Sequence, residues 1–204
     1  MIGIINYGSG NIRAISNIYN NLKIKNLIIN NSYDFDKCNK LILPGVGSFD
    51  FVMSKIHQSN FIEILNNLVL EKKMDILGIC VGMQIFAKNS EEGNQRGLGW
   101  INGNVKKIIK NNFDKKILLP HMGWNDIEIS KNNKILNNID HKSRFYFLHS
   151  YAFHIENKNN IIAKTKYHNL FSSIINKNNI YGVQFHPEKS HHYGEQLVKN
   201  FALL

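Results

Sequence analysis

One cysteine, Cys80, lies between a strand-like and a helix-like segment, with Gly78 and Gly82 two positions away on either side. The apolar run Asp75–Ile79 predicts a short strand, and Val81–Ala87 predicts the start of a helix. A side chain on such a turn projects from the end of a sheet, and glycines are needed there because Cβ atoms would crowd the neighbouring strand and helix. The helix dipole would favour a thiolate at the cysteine. The pattern predicts a nucleophile elbow, and a buried structural cysteine is the alternative.

The length and composition predict a single globular domain spanning residues 1–204. Hydrophobic residues make up 43% of the chain, which is typical of globular rather than disordered proteins. The sequence contains no apolar run long enough to span a bilayer and no signal-peptide pattern, and its two cysteines, Cys38 and Cys80, do not form a disulfide framework. We therefore expect a soluble, cytoplasmic protein.

The formal net charge of +10 raises the question of nucleic-acid binding. The lysines are scattered, however, mostly in Asn/Lys turns such as Asn157–Asn160 and Asn176–Asn179. The chain has no block of five or six like charges and no basic stripe interleaved with aromatic residues. The charge pattern therefore argues against nucleic acid and favours an acidic partner protein or an anionic substrate.

In the first half of the chain, strand-like segments alternate with helix-like ones. This alternation predicts an α/β fold with a central, mostly parallel sheet and helices on both faces, in which sites lie at the carboxyl ends of strands. The turns Gly8–Gly10 and Pro44–Gly47 and the cysteine Cys80 all follow predicted strands, so we expect them on one rim. The predicted strands are Met1–Asn6, Leu27–Ile29, Lys40–Leu43 and Asp75–Ile79, and the predicted helices cover Ile12, Ile15, Tyr19 and Leu22, then Phe51–Ile56 and Phe61–Leu70.

The second half consists of short strand-like pieces separated by Asn/Lys/Gly turns, which predicts an antiparallel or mixed extension of the sheet. A closing helix is predicted to carry Tyr193, Leu197, Val198 and Phe201 on one face. The predicted strands are Val105–Ile109, Asp126–Ile129, Arg144–Leu148, Ala152–Ile155, Ile161–Lys166, Leu170–Ile175 and Ile180–Phe185.

A thiolate nucleophile needs a base, and His186 is the best candidate of nine histidines. It lies at the end of a predicted strand, as Cys80 does, and Glu188 follows after Pro187, which restricts the backbone between them. A carboxylate beside an imidazole fixes its tautomer and stabilises the imidazolium, which in turn stabilises a thiolate. His-Pro-Glu alone is a weak pattern, because strand-end turns often contain these residue types. Together with the elbow it predicts a catalytic set of Cys80, His186 and Glu188.

Acyl chemistry at sulfur also needs hydrogen-bond donors for an oxyanion. In an elbow one donor is the N–H of the residue after the nucleophile, here Val81. The second is expected from Pro44-Gly45-Val46-Gly47, because glycine lets a peptide plane turn its N–H toward a ligand. An ordinary turn is the alternative interpretation of this segment.

Several motifs, taken together, resemble the class I glutamine amidotransferases, a family with a Cys-His-Glu triad. Two of them are Gly78-Ile-Cys-Val-Gly-Met-Gln84 and Gln184-Phe-His-Pro-Glu188. Within the family, the chain resembles from end to end the glutaminase subunits of imidazole glycerol phosphate synthase, which serve histidine biosynthesis. Four further stretches carry this closer resemblance: Asn6–Asn11, Pro44–Phe49, Pro120–Asn125 and Leu148–Tyr151.

The resemblance implies a flavodoxin-like fold and a glutaminase reaction. Cys80 attacks the side-chain amide of glutamine, His186 oriented by Glu188 protonates the departing ammonia, and water hydrolyses the glutamyl thioester. Carried over by position, Val81, Val46 and Gly47 bind the oxyanion. The glutamine itself would be held by Gly45, Gln84, Glu92, His149, Ser150 and Tyr151.

The resemblance also implies a partner, a (β/α)8-barrel cyclase subunit that forms a heterodimer with this chain. Ammonia would be channelled to the cyclase, which makes imidazole glycerol phosphate and aminoimidazole carboxamide ribonucleotide. Met122, Trp124, Asn125 and Lys189 match positions near the partner, although a core aromatic is an equally good interpretation of Trp124. The resemblance further implies that glutamine hydrolysis is slow without the partner. This would fit an oxyanion-binding peptide at Val46 that must rotate to face the site. No cofactor or metal is implied, because adjacent histidines such as His191 and His192 are not a metal motif.

Three other functions compete with this interpretation. A paralogous glutaminase would supply ammonia to a sugar amidotransferase in surface-glycan biosynthesis, and the sequence does not separate the two pathways. A non-catalytic scaffold relative is disfavoured, because Cys80, His186 and Glu188 are all present. A cysteine peptidase on a similar sheet is disfavoured by the glutamine-holding set around Gln84 and His149–Tyr151.

Overall fold

The structure, a computed structural model, describes residues 1–108 and 118–204. In the first half, parallel strands alternate with helices, as the apolar runs predict. Strands β1, β3 and β4 are buried almost throughout because helices cover both faces of the sheet. The elements in chain order are β1 Ile2–Ile5, α1 Ile12–Asn21, β2 Asn26–Ile29, β3 Lys40–Gly45, α2 Phe49–Gln58, α3 Ile62–Asn66, which continues as a π-helical turn Asn67–Glu71, β4 Asp75–Cys80 and α4 Val81–Gln84.

The second half contributes mostly short strands and one long helix. Its strands are β5 Asn89–Ser90, β6 Gly103–Lys107, β7 His121–Asp126, β8 Glu128–Ile129, β9 Arg144–His149, β10 Tyr151–Ile155, β11 Ile161–Tyr167, β12 Asn169–Lys177 and β13 Ile180–Val183, and its helix is α5 His191–Leu203. Short 3₁₀ turns cover Ser32–Lys37, Lys134–Leu136, Lys158–Asn160 and Pro187–Lys189.

Across residues 1–108 and 118–204, eight strands form the main sheet in the order β2-β1-β3-β4-β13-β12-β11-β8. The strands from β2 to β13 in this order run parallel, whereas β12, β11 and β8 pair antiparallel. Two small sheets, β10-β6-β5 and β7-β9, lie beside it in the described part. The predicted α/β fold with a mostly parallel sheet and an antiparallel extension is confirmed.

The order of the strands explains how distant segments reach one site. Strand β4, which ends at Cys80, lies between β3 and β13. All three run parallel, so their carboxyl ends open on the same rim. The segment after β3 carries Val46, and the segment after β13 carries His186 and Glu188.

The predicted strand Asp126–Ile129 is wrong in its bounds. The chain is already extended from His121, where β7 pairs with β9, and it crosses to the main sheet at Ile127, so that β8 pairs with β11. Ile127 is buried between the two pairings, which interrupts the strand. The predicted strand Val105–Ile109 is observed as Gly103–Lys107, and its last predicted residue, Ile109, lies outside the described residues.

The other predicted bounds differ by a few residues. The helix predicted after Cys80 is only one turn long, because the chain after Gln84 folds back to pair at Asn89–Ser90. The last strand ends at Val183 rather than Phe185. Beyond this point the chain turns toward β9, where the backbone N–H of His186 donates to the Tyr146 carbonyl. In the described part of the chain, none of the helices has the length and apolarity needed to cross a membrane.

Candidate active site

Cys80 has a backbone conformation that few non-glycine residues adopt, with φ 54° and ψ −114°. The flanking glycines are sterically required. A Cβ on Gly82 would lie 2.0 Å from the Leu43 carbonyl oxygen, and one on Gly78 would lie 2.7 Å from the Gly82 carbonyl oxygen. The elbow therefore turns Cys80 away from the sheet and toward the rim, as the glycine spacing predicts.

His186 lies beside Cys80 and is held by two further residues. Its Nδ1 is 2.8 Å from Glu188 Oε1, and the same carboxylate oxygen accepts a hydrogen bond of 2.7 Å from Asn11 Nδ2. The side chains of His186 and Glu188 are almost fully buried. Glu188 Oε2 is buried without a hydrogen-bond partner. Asn11, Glu188 and His186 thus form a chain of contacts, and His186 lines the same cavity as Cys80.

The electrostatics of this chain favour a charged imidazole. Burial alone lowers the pKa of His186, but the nearby Cys80 sulfur and the Glu188 carboxylate outweigh it and raise this pKa to about 10. Burial alone raises the pKa of Glu188, but His186 and Asn11 more than offset this and hold it below its ordinary value. The arrangement suits an imidazolium between a carboxylate and a thiolate.

A glutamine pair borders the other side of the sulfur. Gln184 Nε2 lies 3.7 Å from Cys80 Sγ, and Gln184 Oε1 accepts a hydrogen bond of 3.0 Å from Gln84 Nε2. Gln84 Nε2 also donates to the Tyr151 carbonyl at 2.9 Å. Both hydrogens of the Gln84 amide are therefore donated to protein acceptors. One of these acceptors is the carbonyl of Tyr151, the first residue of β10, so β10 helps to position the Gln84 side chain.

Two buried histidines form a neutral chain behind the site. His149 Nδ1 lies 2.8 Å from the Tyr151 carbonyl, so it carries the proton, and His149 Nε2 must accept from His121 Nδ1 at 3.1 Å. His121 Nε2 then accepts from Asn125 Nδ2 at 3.2 Å. Burial lowers the pKa of His121 to about 4 and that of His149 to about 3, which agrees with neutral rings.

The predicted oxyanion segment is held by the loop after β1. The Val46 N–H donates to Ser9 Oγ at 2.9 Å, and Ser9 Oγ donates to the Val46 carbonyl at 2.8 Å. The Tyr7 hydroxyl donates to the carbonyl of Pro44. Burial raises the pKa of Tyr7, so this hydroxyl stays protonated and a donor. Val81 starts α4, and the first N–H groups of a helix have no acceptor within it.

A cavity of about 460 Å³ opens at this rim. Most of the residues predicted to bind glutamine or to react with it line this cavity. Gly45 and Glu188 do not: Gly45 packs against the start of α4, and Glu188 contacts the Nδ1 side of His186. Glu92 at its edge accepts the Phe49 N–H at 2.8 Å, and burial raises the pKa of this carboxyl. The lining residues are Asn11, Val46, Gly47, Cys80, Val81, Gln84, Glu92, Pro120, Leu148, His149, Ser150, Tyr151, His186 and Lys189.

The residues predicted near a partner divide between the two faces of the antiparallel β7-β9 pair. Met122, paired with Leu148, and Trp124, paired with Tyr146, lie on the outer face. Met122 is 67% exposed, Trp124 38% and Leu148 36%, so Trp124 is not a core residue. It stacks on His191, with ring centroids 5.1 Å apart.

Two other predicted residues flank this face. The Lys189 ammonium lies 5.5 Å from the ring centroid of Tyr146 on the outer face. Asn125 has the opposite orientation and bonds to His121 and to the Lys166 carbonyl. Asn125 therefore faces away from the side of the pair that carries Met122 and Trp124, and its predicted place near a partner stays a prediction.

Several residues at the site were not predicted as site residues from the sequence. All of them stand in motifs that carry the family resemblance, and this was the available signal. They are Ser9, Asn11, Pro120, Leu148 and Gln184.

The comparisons with known proteins agree with this geometry. The family profile described as "Glutamine amidotransferase class-I" matches residues 3–204. The chain is 47% identical over 204 residues to proteins named imidazole glycerol phosphate synthase subunit HisH from Leptospira borgpetersenii and from Leptospira interrogans, covering 100% of each chain. A solved structure described as a glutamine amidotransferase superposes with a TM-score of 0.75 at 17% identity, covering 100% of this chain and 99% of that one, which supports the fold alone.

Proposed function

Because this chain belongs to the class I glutamine amidotransferase family, we propose that it is the glutaminase subunit of an imidazole glycerol phosphate synthase. Family membership makes the chain a glutamine amidotransferase. The proposal adds that the reaction runs through Cys80, His186 and Glu188 and that the ammonia passes to a cyclase subunit.

The observation that carries the proposal is the chain of contacts from Asn11 through Glu188 to His186, which lines the same cavity as Cys80. A buried thiol on a strained elbow, beside an imidazole whose pKa is raised to about 10, suits an activated nucleophile. A structural cysteine would need neither the carboxylate nor the imidazole.

In the first step, the Cys80 thiolate attacks the side-chain amide carbon of glutamine. A carbon–sulfur bond forms, and the carbonyl oxygen becomes an oxyanion facing the Val81 N–H. The oxyanion collapses, the carbon–nitrogen bond breaks, and the His186 imidazolium gives its proton to the departing NH₂ group. Ammonia leaves, and a glutamyl thioester and a neutral His186 remain.

In the second step, water attacks the thioester while neutral His186 takes one of its protons. The carbon–sulfur bond breaks, glutamate departs, and the Cys80 thiolate and the His186 imidazolium are restored. Glu188 stays ionised throughout and stabilises the imidazolium each time it forms.

The ends of glutamine find partners of matching chemistry around the cavity. Glu92 suits the α-ammonium group, and its carboxylate is already oriented by the Phe49 N–H. The hydroxyl and backbone of Ser150 suit the α-carboxylate. Gln84 and His149 line the same cavity, and both hydrogen-bond to the Tyr151 carbonyl. They therefore position the start of β10, where Ser150 and Tyr151 face the substrate.

The proposed contact with the cyclase is the outer face of the antiparallel β7-β9 pair, which carries Met122 and Trp124. Leu148 belongs both to this face and to the cavity lining, and its carbonyl lies 3.9 Å from Cys80 Sγ. Ammonia released at Cys80 would therefore appear directly beneath the contact. Exposed Met122 and Trp124 provide apolar and aromatic area of the kind that protein interfaces use.

The test is glutamate release from glutamine by the chain together with the cyclase subunit of an imidazole glycerol phosphate synthase. We expect Cys80→Ala to lower kcat at least about 10³-fold, because the nucleophile is lost. The matched control is Cys38→Ala, which removes the other buried thiol and should keep the activity. Glutamate release that survives Cys80→Ala would refute the proposed mechanism.

The partner is tested by purification from the native cell followed by an ammonia-transfer assay. Recovery of a histidine-pathway cyclase, with glutamine-dependent product formation, supports the proposal. Recovery of a cyclase paralogue with a sugar amidotransferase would support the surface-glycan alternative, and hydrolysis of other amides without any partner would support a peptidase.

A further inference from the structure

The strongest unassigned feature is the side chain of Gln184, which lies against the nucleophile but is not part of the proposed catalytic set. Gln184 is completely buried, and its Nε2 lies 3.7 Å from Cys80 Sγ. Among the described residues, this sulfur is the only hydrogen-bond acceptor of Gln184 Nε2. The backbone N–H of Gln184 donates to the Ser173 carbonyl at 2.9 Å, which anchors the residue beside β12. A buried amide donor therefore ends on the sulfur that is proposed to react.

The orientation of the Gln184 amide is fixed by its neighbours. Gln84 Nε2 lies 2.9 Å from the Tyr151 carbonyl oxygen, and only the nitrogen end of the Gln84 amide can donate to this oxygen. The same nitrogen lies 3.0 Å from the Gln184 amide, where it requires an oxygen as its acceptor. Oε1 of Gln184 therefore faces Gln84, and its NH₂ group faces the sulfur.

We propose that Gln184 is a further catalytic residue, which donates a hydrogen bond to the Cys80 thiolate and stabilises this anion for the attack on glutamine. The inference rests on the proposed function, because it concerns the nucleophile of the glutaminase reaction. A hydrogen bond to a charged acceptor is roughly twice as strong as one to a neutral acceptor, so the contact favours the thiolate over the thiol. An amide does not ionise, so Gln184 stabilises the anion without competing with His186 for the proton.

The second contact of the sulfur explains why such a donor is needed. The Leu148 carbonyl oxygen lies 3.9 Å from Cys80 Sγ. A thiol can donate its hydrogen to this oxygen, whereas a thiolate has no hydrogen to donate and is repelled by it. Because Cys80 is only 3% exposed, water supplies few of the hydrogen bonds that a thiolate needs. The Gln184 amide supplies one of them from inside the protein.

The test is the pH dependence of Cys80 alkylation by iodoacetamide, measured for Gln184→Leu and for the protein with Gln184 intact. Both carry Cys38→Ala, so that Cys80 is the only thiol. Iodoacetamide reacts with the thiolate, and we expect the pH of half-maximal alkylation to rise by about one unit in Gln184→Leu, because a charge-assisted hydrogen bond is lost. The plateau rate at high pH, where the sulfur is ionised in both proteins, should agree within about twofold. General loosening of the site would change this plateau.

The other titratable groups around the sulfur are the same in both proteins. They come from the loop after β1, from the segments before β6 and around β10, and from the segment after β13. The difference between the two pH profiles therefore reports the Gln184 amide. These groups are Tyr7, Glu92, His149, Tyr151, His186, Glu188 and Lys189.

Two further variants separate the amide from packing. Gln184→Met removes the amide but keeps an unbranched side chain, so it should behave as Gln184→Leu, and it decides the question if Gln184→Leu does not fold. Gln196→Leu is the matched control, because the Gln196 amide also bonds to a neighbouring amide, that of Asn200, but on α5. Its alkylation profile should coincide with that of the protein with Gln196 intact.

Glutaminase kinetics with the cyclase supply an independent readout. We expect kcat of Gln184→Leu to fall about 10-fold with KM changed less than about threefold, since the amide contacts the nucleophile. An unshifted alkylation profile in folded Gln184→Leu or Gln184→Met would overturn the proposal. The wild-type complex and Cys80→Ala are measured alongside. Inactivity of the wild-type complex, or glutamate release that survives Cys80→Ala, would instead count against the proposed function.

Discussion

The two sides of Cys80 differ in how their groups are paired. On one side, Asn11 donates a hydrogen bond to Glu188, and Glu188 contacts His186, which lines the same cavity as the sulfur. On the other side, the Val46 N–H, which is the second proposed oxyanion donor, is bonded to Ser9. The groups of the proposed base are paired with one another in the free chain, whereas the proposed oxyanion donor is bonded to a side chain outside the proposed catalytic set.

The proposed mechanism assigns nucleophile activation and transition-state stabilisation to different parts of the molecule. Activation would depend on buried side chains that follow adjacent parallel strands. Stabilisation would depend on a peptide between glycines whose N–H is bonded to Ser9.

The largest effect that tests this contrast is expected from Glu188→Gln. Loss of the carboxylate charge destabilises the protonated form of His186, so we expect kcat with the partner to fall about 10²-fold. The same carboxylate helps to raise the pKa of His186, so the alkaline limb of the pH–rate profile should move down by about one unit. Cys80 alkylation near neutral pH should slow as well. Alkylation at the wild-type rate would contradict an assembled base side.

Asn11→Ala tests the support of the proposed base side by the loop after β1. Asn11 lies two residues after Ser9, and its amide donates to Glu188 Oε1. We expect its removal to lower kcat about 3- to 10-fold, because a charge-assisted hydrogen bond is lost. Asn6→Ala, which breaks an exposed amide pair with Asn30, is the control and should leave kcat unchanged. A rise in kcat for Asn11→Ala would remove the distinction between the two sides.

The smallest expected effect concerns a histidine that belongs to neither side. The folded-state pKa of His121 is about 4, below its ordinary value of 6.5, so between these pH values the unfolded chain binds more protons. Stability from this group is therefore fully present above pH 6.5 and is lost as the pH falls toward 4. This loss is on the order of 1–3 kcal/mol.

His121→Gln removes the titration while an amide hydrogen still reaches His149. We expect a shallower fall in the free energy of unfolding between pH 6.5 and 4, measured by urea denaturation at each pH. The control is His57→Gln on α2, which should reproduce the wild-type slope because the exposed His57 takes no part in the buried histidine chain. An unchanged slope in His121→Gln would mean that His121 titrates normally in the fold.

Much of the fold could be predicted, because its signals are local. The alternation of strands and helices, the carboxyl-end rim and the steric need for Gly78 and Gly82 all follow from patterns within a few residues. The prediction was weaker around β7, since the chain changes sheets at Ile127, and no local pattern marks which strand it will pair with next.

By itself, the sequence determined which residue types can react: a cysteine on a glycine elbow and a histidine followed by a glutamate, each after an apolar strand. Only the tertiary structure decided that Asn11, 177 residues from Glu188, completes the base side, and that Ser9 occupies the Val46 N–H. The physical reason is that propensity and periodicity act along the chain, whereas a hydrogen bond between loops depends on strand order and on distances of a few tenths of an ångström.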